Sequence, residues 1–193
     1  MRGLLVFILF VSGFAMAHEE HHHEALEANP TLSGASVLQL TSPWKNQDDK
    51  AVKLSELRGQ PRLVVMLFTQ CKTACPLIIE DLKTIYQALE TLHPKKFSVS
   101  IFSLDSFRET PQSLKEFAQK QKLPKNWSLY TSDADAVSEL AAALGLRYKR
   151  LPNGDYIHSN MIYFLNAAGE VKATKEGIKT PAAKFIKQIA KDS

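Results

Sequence analysis

Residues 63–76 read LVVMLFTQCKTACP, and the reading of this stretch decides the fold. Leu63 to Phe68 is a continuous apolar run without alternation, the pattern of a strand covered on both faces of a sheet. Such a strand belongs at the centre of a parallel arrangement. Three residues beyond it stands Cys71, followed by Cys75 and Pro76, and a proline there fits the first turn of a helix that starts around Cys75. These are the only two cysteines of the chain.

Downstream the elements alternate. Ile78, Leu82, Ile85, Leu89 and Leu92 recur at helical spacing, so the helix is predicted to stop near His93-Pro94. Phe97 to Leu104 reads as the next strand, and Thr110-Pro111 as the cap and first residue of a helix that ends before Pro124. Trp127 to Tyr130 is a short strand. Ser132 is the predicted cap of a helix with Asp133 and Asp135 in its first turn and Gly145 after its last apolar residue. Met161 to Leu165 and Val171 to Thr174 form a hairpin around Asn166-Ala167-Ala168-Gly169, and Thr180-Pro181 opens a last helix bearing Phe185, Ile186 and Ile189. Upstream, Ser36 to Leu40 and Val52 to Leu54 read as strands flanking a turn at Asn46–Asp49, a hairpin extension of the sheet. The expected class is α/β: a sandwich with a mixed central sheet, helices on both faces, its parallel part first and an antiparallel hairpin last.

Residues 1–17 read as an export signal, with Arg2, the apolar run Leu4 to Val11 and the small-x-small site Ala15-Met16-Ala17. The run is short of the roughly 20 residues a membrane span wants, and an uncleaved leader would act as a tether at the inner membrane. Residues 18–35 are polar, His-rich and unpatterned, a flexible lead-in to a domain over 36–193. With 45% hydrophobic residues, that domain can bury an ordinary core. The formal charge of +4 falls to +3 when Arg2 leaves with the signal, and the excess is spread along helices rather than gathered in a stripe with interleaved aromatics. That argues against nucleic acid as a partner.

In a sheet of this kind, ligands collect beyond the carboxyl ends of the parallel strands. Cys71 falls at that edge, and the helix start beside it favours a thiolate, so at least one thiol is expected to have a lowered pKa. Cysteines four apart at a helix start can close a disulfide or grip one soft ion together. A purely structural disulfide, or two core-filling thiols, is the plainer reading, although a bridge closing so small a loop adds little chain entropy to stability. His158 is the candidate third partner. It precedes the strand Met161–Leu165, which reaches the same edge if it runs antiparallel to Leu63–Phe68. Two thiolates and an imidazole suit Cu(I), hold Cu(II) with an added ligand, and also suit Zn; a lone loop histidine is otherwise a surface residue. Asp105 ends a parallel strand near this edge, where it orients His158 or a partner's basic group, or else caps a turn or pairs with Arg108. Phe68, Thr69 and Tyr163 either shape the pocket or fill the core.

These residues resemble the Sco (SenC) family of copper-binding assembly factors for cytochrome c oxidase. The resemblance rests on Cys71-Lys72-Thr73-Ala74-Cys75-Pro76 after an apolar strand, on Asp105-Ser106-Phe107-Arg108-Glu109-Thr110-Pro111, and on His158-Ser159 before Ile162-Tyr163-Phe164-Leu165. It spans about Val37 to Ile189. It implies a thioredoxin-like three-layer fold in the periplasm, one copper ion per domain held by Cys71, Cys75 and His158, and delivery to the dinuclear copper site of oxidase subunit II or another copper-accepting protein. It also implies thiol–disulfide chemistry that keeps the recipient's cysteines reduced. The chain departs from the family in two places: Ile157 stands where many members carry Asp before the ligand histidine, and a cleavable-type signal stands where many carry an anchor.

Cleavage after Ala17 would make His18 the first residue, and with His21, His22 and His23 its amine and imidazole make an auxiliary Cu(II) or Zn trap, or else a solvated tail without that role. A thioredoxin-type oxidoreductase would carry Cys-x-x-Cys and a proline in the segment held here by Ile157-His158-Ser159; a peroxiredoxin would carry Thr-x-x-Cys, unmatched by Thr69-Gln70-Cys71. A redox sensor remains the binding-module alternative.

Overall fold

All six residues of β3 (Arg62–Leu67) are buried, so both faces of this strand are covered, as the unbroken apolar run requires. The computed structural model describes residues 34–71 and 74–191. Before β3 come β1 (Trp44–Asn46) and β2 (Ala51–Val52); after it come α1 (Ala74–Leu92), β4 (Ser98–Ser103), α2 (Pro111–Lys120), β5 (Trp127–Thr131) and α3 (Ala134–Ala143). The chain then forms β6 (Tyr148–Arg150), β7 (Tyr156–His158), β8 (Met161–Leu165), β9 (Val171–Glu176) and α4 (Ala183–Lys191). A seven-stranded sheet has the order β2-β1-β5-β4-β3-β8-β9, and β6 and β7 form a separate two-stranded sheet.

Strands β3, β4 and β5 run parallel, while β1 joins β5, and β8 joins β3, in antiparallel fashion. The β3–β8 register pairs Arg62 with Leu165 and Val64 with Tyr163, so β8 begins at the edge where β3 ends. This is the arrangement that can bring His158 toward Cys71. Helix α1 buries Ile78, Ile79, Leu82, Ile85 and Leu89 along one stripe, each worth roughly 1.5–3 kcal/mol of apolar burial. Helices α1 and α4 pack on each other, and α2 packs on β5. Arg62 enters the buried strand because its guanidinium donates to the Ser100 hydroxyl at 2.9 Å and to the Leu57 carbonyl.

Three local expectations are corrected. Ser36 to Leu40 is not a strand: Val37–Gln39 is a 3-10 turn, capped by the Ser36 hydroxyl accepting from the Leu38 N–H at 3.2 Å. The turn is seated on the β8–β9 connection, where Val37 N–H donates to the Gly169 carbonyl at 3.0 Å. Gly169 has φ 85°, and a Cβ there would lie 2.3 Å from Leu38 Cγ, so only glycine allows this approach. Hence the first strand of the N-terminal hairpin is β1, and Leu54 opens a 3-10 turn instead of closing β2. The cap of α3 is Asp133, whose carboxylate accepts from Ala136 N–H at 2.8 Å; the Ser132 hydroxyl is taken by the Pro43 carbonyl. Finally, the β6–β7 hairpin is an element that the sequence reading did not anticipate.

Candidate metal centre

The cysteine half of the site is built on the end of β3 and the start of α1. No S–S bond joins the two cysteines. Cys75 N–H, one of the amides left over at the helix start, donates to Cys71 Sγ at 3.4 Å, which favours charge on that sulfur. The two thiols are not equivalent. Cys71 is half-buried and lines a cavity, whereas Cys75 is fully buried. Burial pushes the Cys75 thiol well above its ordinary range, and its hydrogen bond to Cys71 adds to the shift. The expectation of a lowered thiol pKa therefore does not hold at Cys75; the helix start serves Cys71 instead.

The histidine half is carried by β7, whose last residue is His158. His158 Nδ1 lies 3.0 Å from the Ser159 carbonyl; a carbonyl only accepts, so Nδ1 carries the proton and Nε2 keeps its lone pair. Burial lowers the imidazole pKa, which keeps the ring in the neutral form that a metal needs. The ring stands edge-on to Phe68, with centroids 6.1 Å apart, and Phe68 packs in turn on Tyr156 at 5.3 Å. Phe68 is thus a wedge between the cysteine turn and the hairpin.

Cys71 and His158 line one cavity of about 610 Å³, together with Phe68, Gln70, Ala74 and Tyr156. A second cavity, of about 470 Å³, lies on the other side of His158 and is lined by Arg147, Lys149, Asn160 and Glu176. Among the described residues no three His, Cys, Asp or Glu side chains stand close enough to hold an ion together as placed. The structure brings Cys71 to Cys75 and gives Cys71 and His158 a shared cavity, but it leaves the three-ligand set open, because the Cys75 thiol points into the core. The donor chemistry fits a soft ion, and closure of the set requires the Cys75 thiolate to turn toward the cavity. His18, His21, His22 and His23 lie outside the described residues.

Asp105 does not reach His158. It is fully buried, pairs with the Arg108 guanidinium, accepts from the amides of Phe107 and Arg108 at 3.3 and 3.2 Å, and accepts from the Tyr156 hydroxyl at 3.3 Å. Its work is to tie β7 to the turn after β4. Arg108 extends the tie by donating to the Gly154 carbonyl at 2.5 Å. Tyr163, at 1% exposure, is a core residue, and the amide of Thr69 donates to the Glu109 carboxylate. Sequence reasoning passed over Tyr156 and Glu109. Glu109 was legible as the acid of the Arg-acid-Thr-Pro turn; nothing in the sequence distinguishes Tyr156, which depends on a hairpin too short to predict.

A family model described as SCO1/SenC matches residues 38–192. The chain is 28% identical over 151 residues to a SCO1 protein homolog of Bacillus subtilis, covering 76% of this chain and 78% of that one. Among solved structures, a SCO1/SenC family lipoprotein from Bacillus anthracis superposes with a TM-score of 0.70 at 25% identity, covering 79% of this chain and 92% of that one. A copper-bound ScoI from Arabidopsis thaliana gives 0.70 at 16% identity, covering 78% and 94%. These likenesses establish the fold as the thioredoxin-like sandwich with a mixed sheet.

Proposed function

Because this chain belongs to the SCO1/SenC family, we propose that it is an exported copper carrier that holds one copper ion through Cys71, Cys75 and His158 and passes it to the dinuclear copper site of a cytochrome c oxidase subunit II. The export signal read in residues 1–17 supports a place in the periplasm. One observation carries the reading: Cys71 and His158, whose Nε2 keeps its lone pair, line the same cavity, beside a helix start that favours charge on the sulfur.

The residues divide the work. Cys71, accessible and favoured as thiolate, makes first contact with incoming copper. Cys75 must give up its proton to join, so loading releases protons and strengthens as pH rises. His158 offers Nε2 from a ring whose tautomer the Ser159 carbonyl sets. Exit proceeds by ligand exchange, each of this chain's thiolates being replaced by a thiolate of the recipient.

A second reading shares the same pair. Cys71 and Cys75 are in mutual hydrogen-bond contact, the geometry in which two thiols yield two electrons and two protons to a recipient's disulfide and become a disulfide themselves. Titration of the reduced protein with copper separates the two. Metal carriage gives a one-to-one complex with sulfur-to-copper charge-transfer absorption, and His158→Ala or Cys71→Ser weakens copper retention by at least about tenfold. A His158→Ala protein with undiminished affinity removes that residue from the site, and rapid disulfide turnover without the absorption band favours reduction.

A further inference from the structure

Beside the metal centre, two surface segments are bound into one unit. The Asp105–Glu109 turn and the β6–β7 hairpin are joined by Tyr156 to Asp105 at 3.3 Å, by Arg108 to the Gly154 carbonyl at 2.5 Å, and by the Arg150 guanidinium over the Phe107 ring at 4.7 Å. Gly154 has φ 86°, and a Cβ there would stand 3.2 Å from an Arg108 nitrogen, so the glycine lets the two segments close on each other.

This unit bears the two most exposed large apolar side chains among the described residues, Phe107 at 69% and Ile157 at 62%. Single exposed apolar residues are ordinary, but these two are carried by one joined unit, and Ile157 lines the cavity that Cys71 and His158 share. Around them, Arg147, Lys149 and Arg150 are exposed and make no ion pair with a carboxylate among the described residues. Two acids lie on the same side, Asp155 at the hairpin tip and Glu176 in the second cavity, and the balance stays basic.

Resting on the copper-carrier reading, we propose that this face docks the copper recipient, and that the recipient meets it with an acidic surface surrounding an apolar depression. Arg147, Lys149 and Arg150 steer and orient the acidic rim, while Phe107 and Ile157 are the apolar contacts that bring its thiolates to the Cys71–His158 cavity. The charged rim governs encounter and salt dependence; the apolar pair governs residence.

The test uses the mature full chain and the soluble copper-accepting domain of an oxidase subunit II, measuring both their association by calorimetry at low and moderate salt and the rate of copper transfer. Arg147→Glu with Lys149→Glu should weaken association about tenfold at low salt and remove most of its salt dependence. Phe107→Ser should weaken association several-fold and leave the salt dependence as it was. Both variants should bind one copper per chain and melt within a few degrees of the parent. Association lost in the variants while even the parent transfers no copper would keep the docking face and overturn the carrier reading. Copper passed at the parental rate by both variants would keep the carrier reading and overturn the docking face, as would a parent that never associates with the recipient domain.

Discussion

The two halves of the candidate metal centre stand on unequal supports. Cys75 stands in the first turn of α1 and Cys71 four residues past the end of β3; every residue of that strand is buried, the strand pairs on both sides, and the helix packs a full apolar stripe. His158 is at the end of a three-residue strand in a two-stranded sheet of its own, in which Lys149, Arg150 and Ile157 are exposed. An isolated hairpin of that length has no stability of its own in water. It keeps its place through Phe68, Asp105, Tyr156 and Arg108. For the proposed carrier role this division is useful: the backbone under the sulfurs is held by the sheet and α1 while the Cys75 side chain turns to close the set, and the nitrogen end can be displaced, so that loss of one proposed ligand begins release.

The contrast is broken most severely by damaging the rigid half. Phe164, fully buried in β8 beside Leu63, anchors the sheet, and Phe164→Ala should cost about 3–5 kcal/mol. Urea unfolding should show the loss, and both halves of the site should fail together. If unfolding is unchanged, β8 is not part of the frame. Asp105→Ala attacks the other half and should cost less, about 1.5–3 kcal/mol, because it removes a charged acceptor from four donors while solvent still reaches Arg108. Its signature is uneven: copper affinity should fall more than the unfolding free energy, with cysteine reactivity toward a thiol reagent unchanged. Equal affinity in parent and variant would mean that the hairpin holds its position without Asp105.

The same contrast governs what the sequence makes legible. Buried strands and long amphipathic helices write their periodicity into many residues, so β3, α1 and β4 can be read directly, while the antiparallel pairing of β8 with β3 enters the sequence reading only as a condition that the register then meets. The hairpin can not, since three residues per strand are too few for a period and its anchors lie some fifty positions away at Asp105 and Arg108. Ser36–Leu40 misleads for a related reason: a short apolar run is overridden when Ser36 caps its own turn and Gly169 lets that turn settle on β9's approach. The cysteine pair and His158 are legible as chemistry, and their shared cavity follows from the β3–β8 register. What no spacing reveals is that Cys75 faces the core. Nor does the sequence say which acid of the Asp105–Glu109 turn serves which half of the site.

Glu109 sharpens the comparison because it serves the rigid half as Asp105 serves the hairpin. Its Oε1 accepts the Thr69 amide, two residues before Cys71, while Oε2 is buried without a hydrogen-bond partner. Burial raises the Glu109 carboxyl above its ordinary range, against the pull of the neighbouring Ser103 hydroxyl and of Thr69. In the interval between the ordinary glutamate value and the raised one, the native protein holds a proton that the unfolded chain has released. Stability therefore falls as pH climbs through that interval. Glu109→Gln retains an oxygen for Thr69 and cannot ionise, so it should differ little from the parent at low pH and become the more stable of the two as pH rises past the interval. This is the smallest expected effect, a difference of slope rather than of fold, and unfolding free energies of parent and variant measured across pH 4 to 8 would reveal it. Parallel curves would mean that Glu109 ionises as freely in the native state as in the unfolded chain, and the cysteine turn would then rest on an ordinary carboxylate.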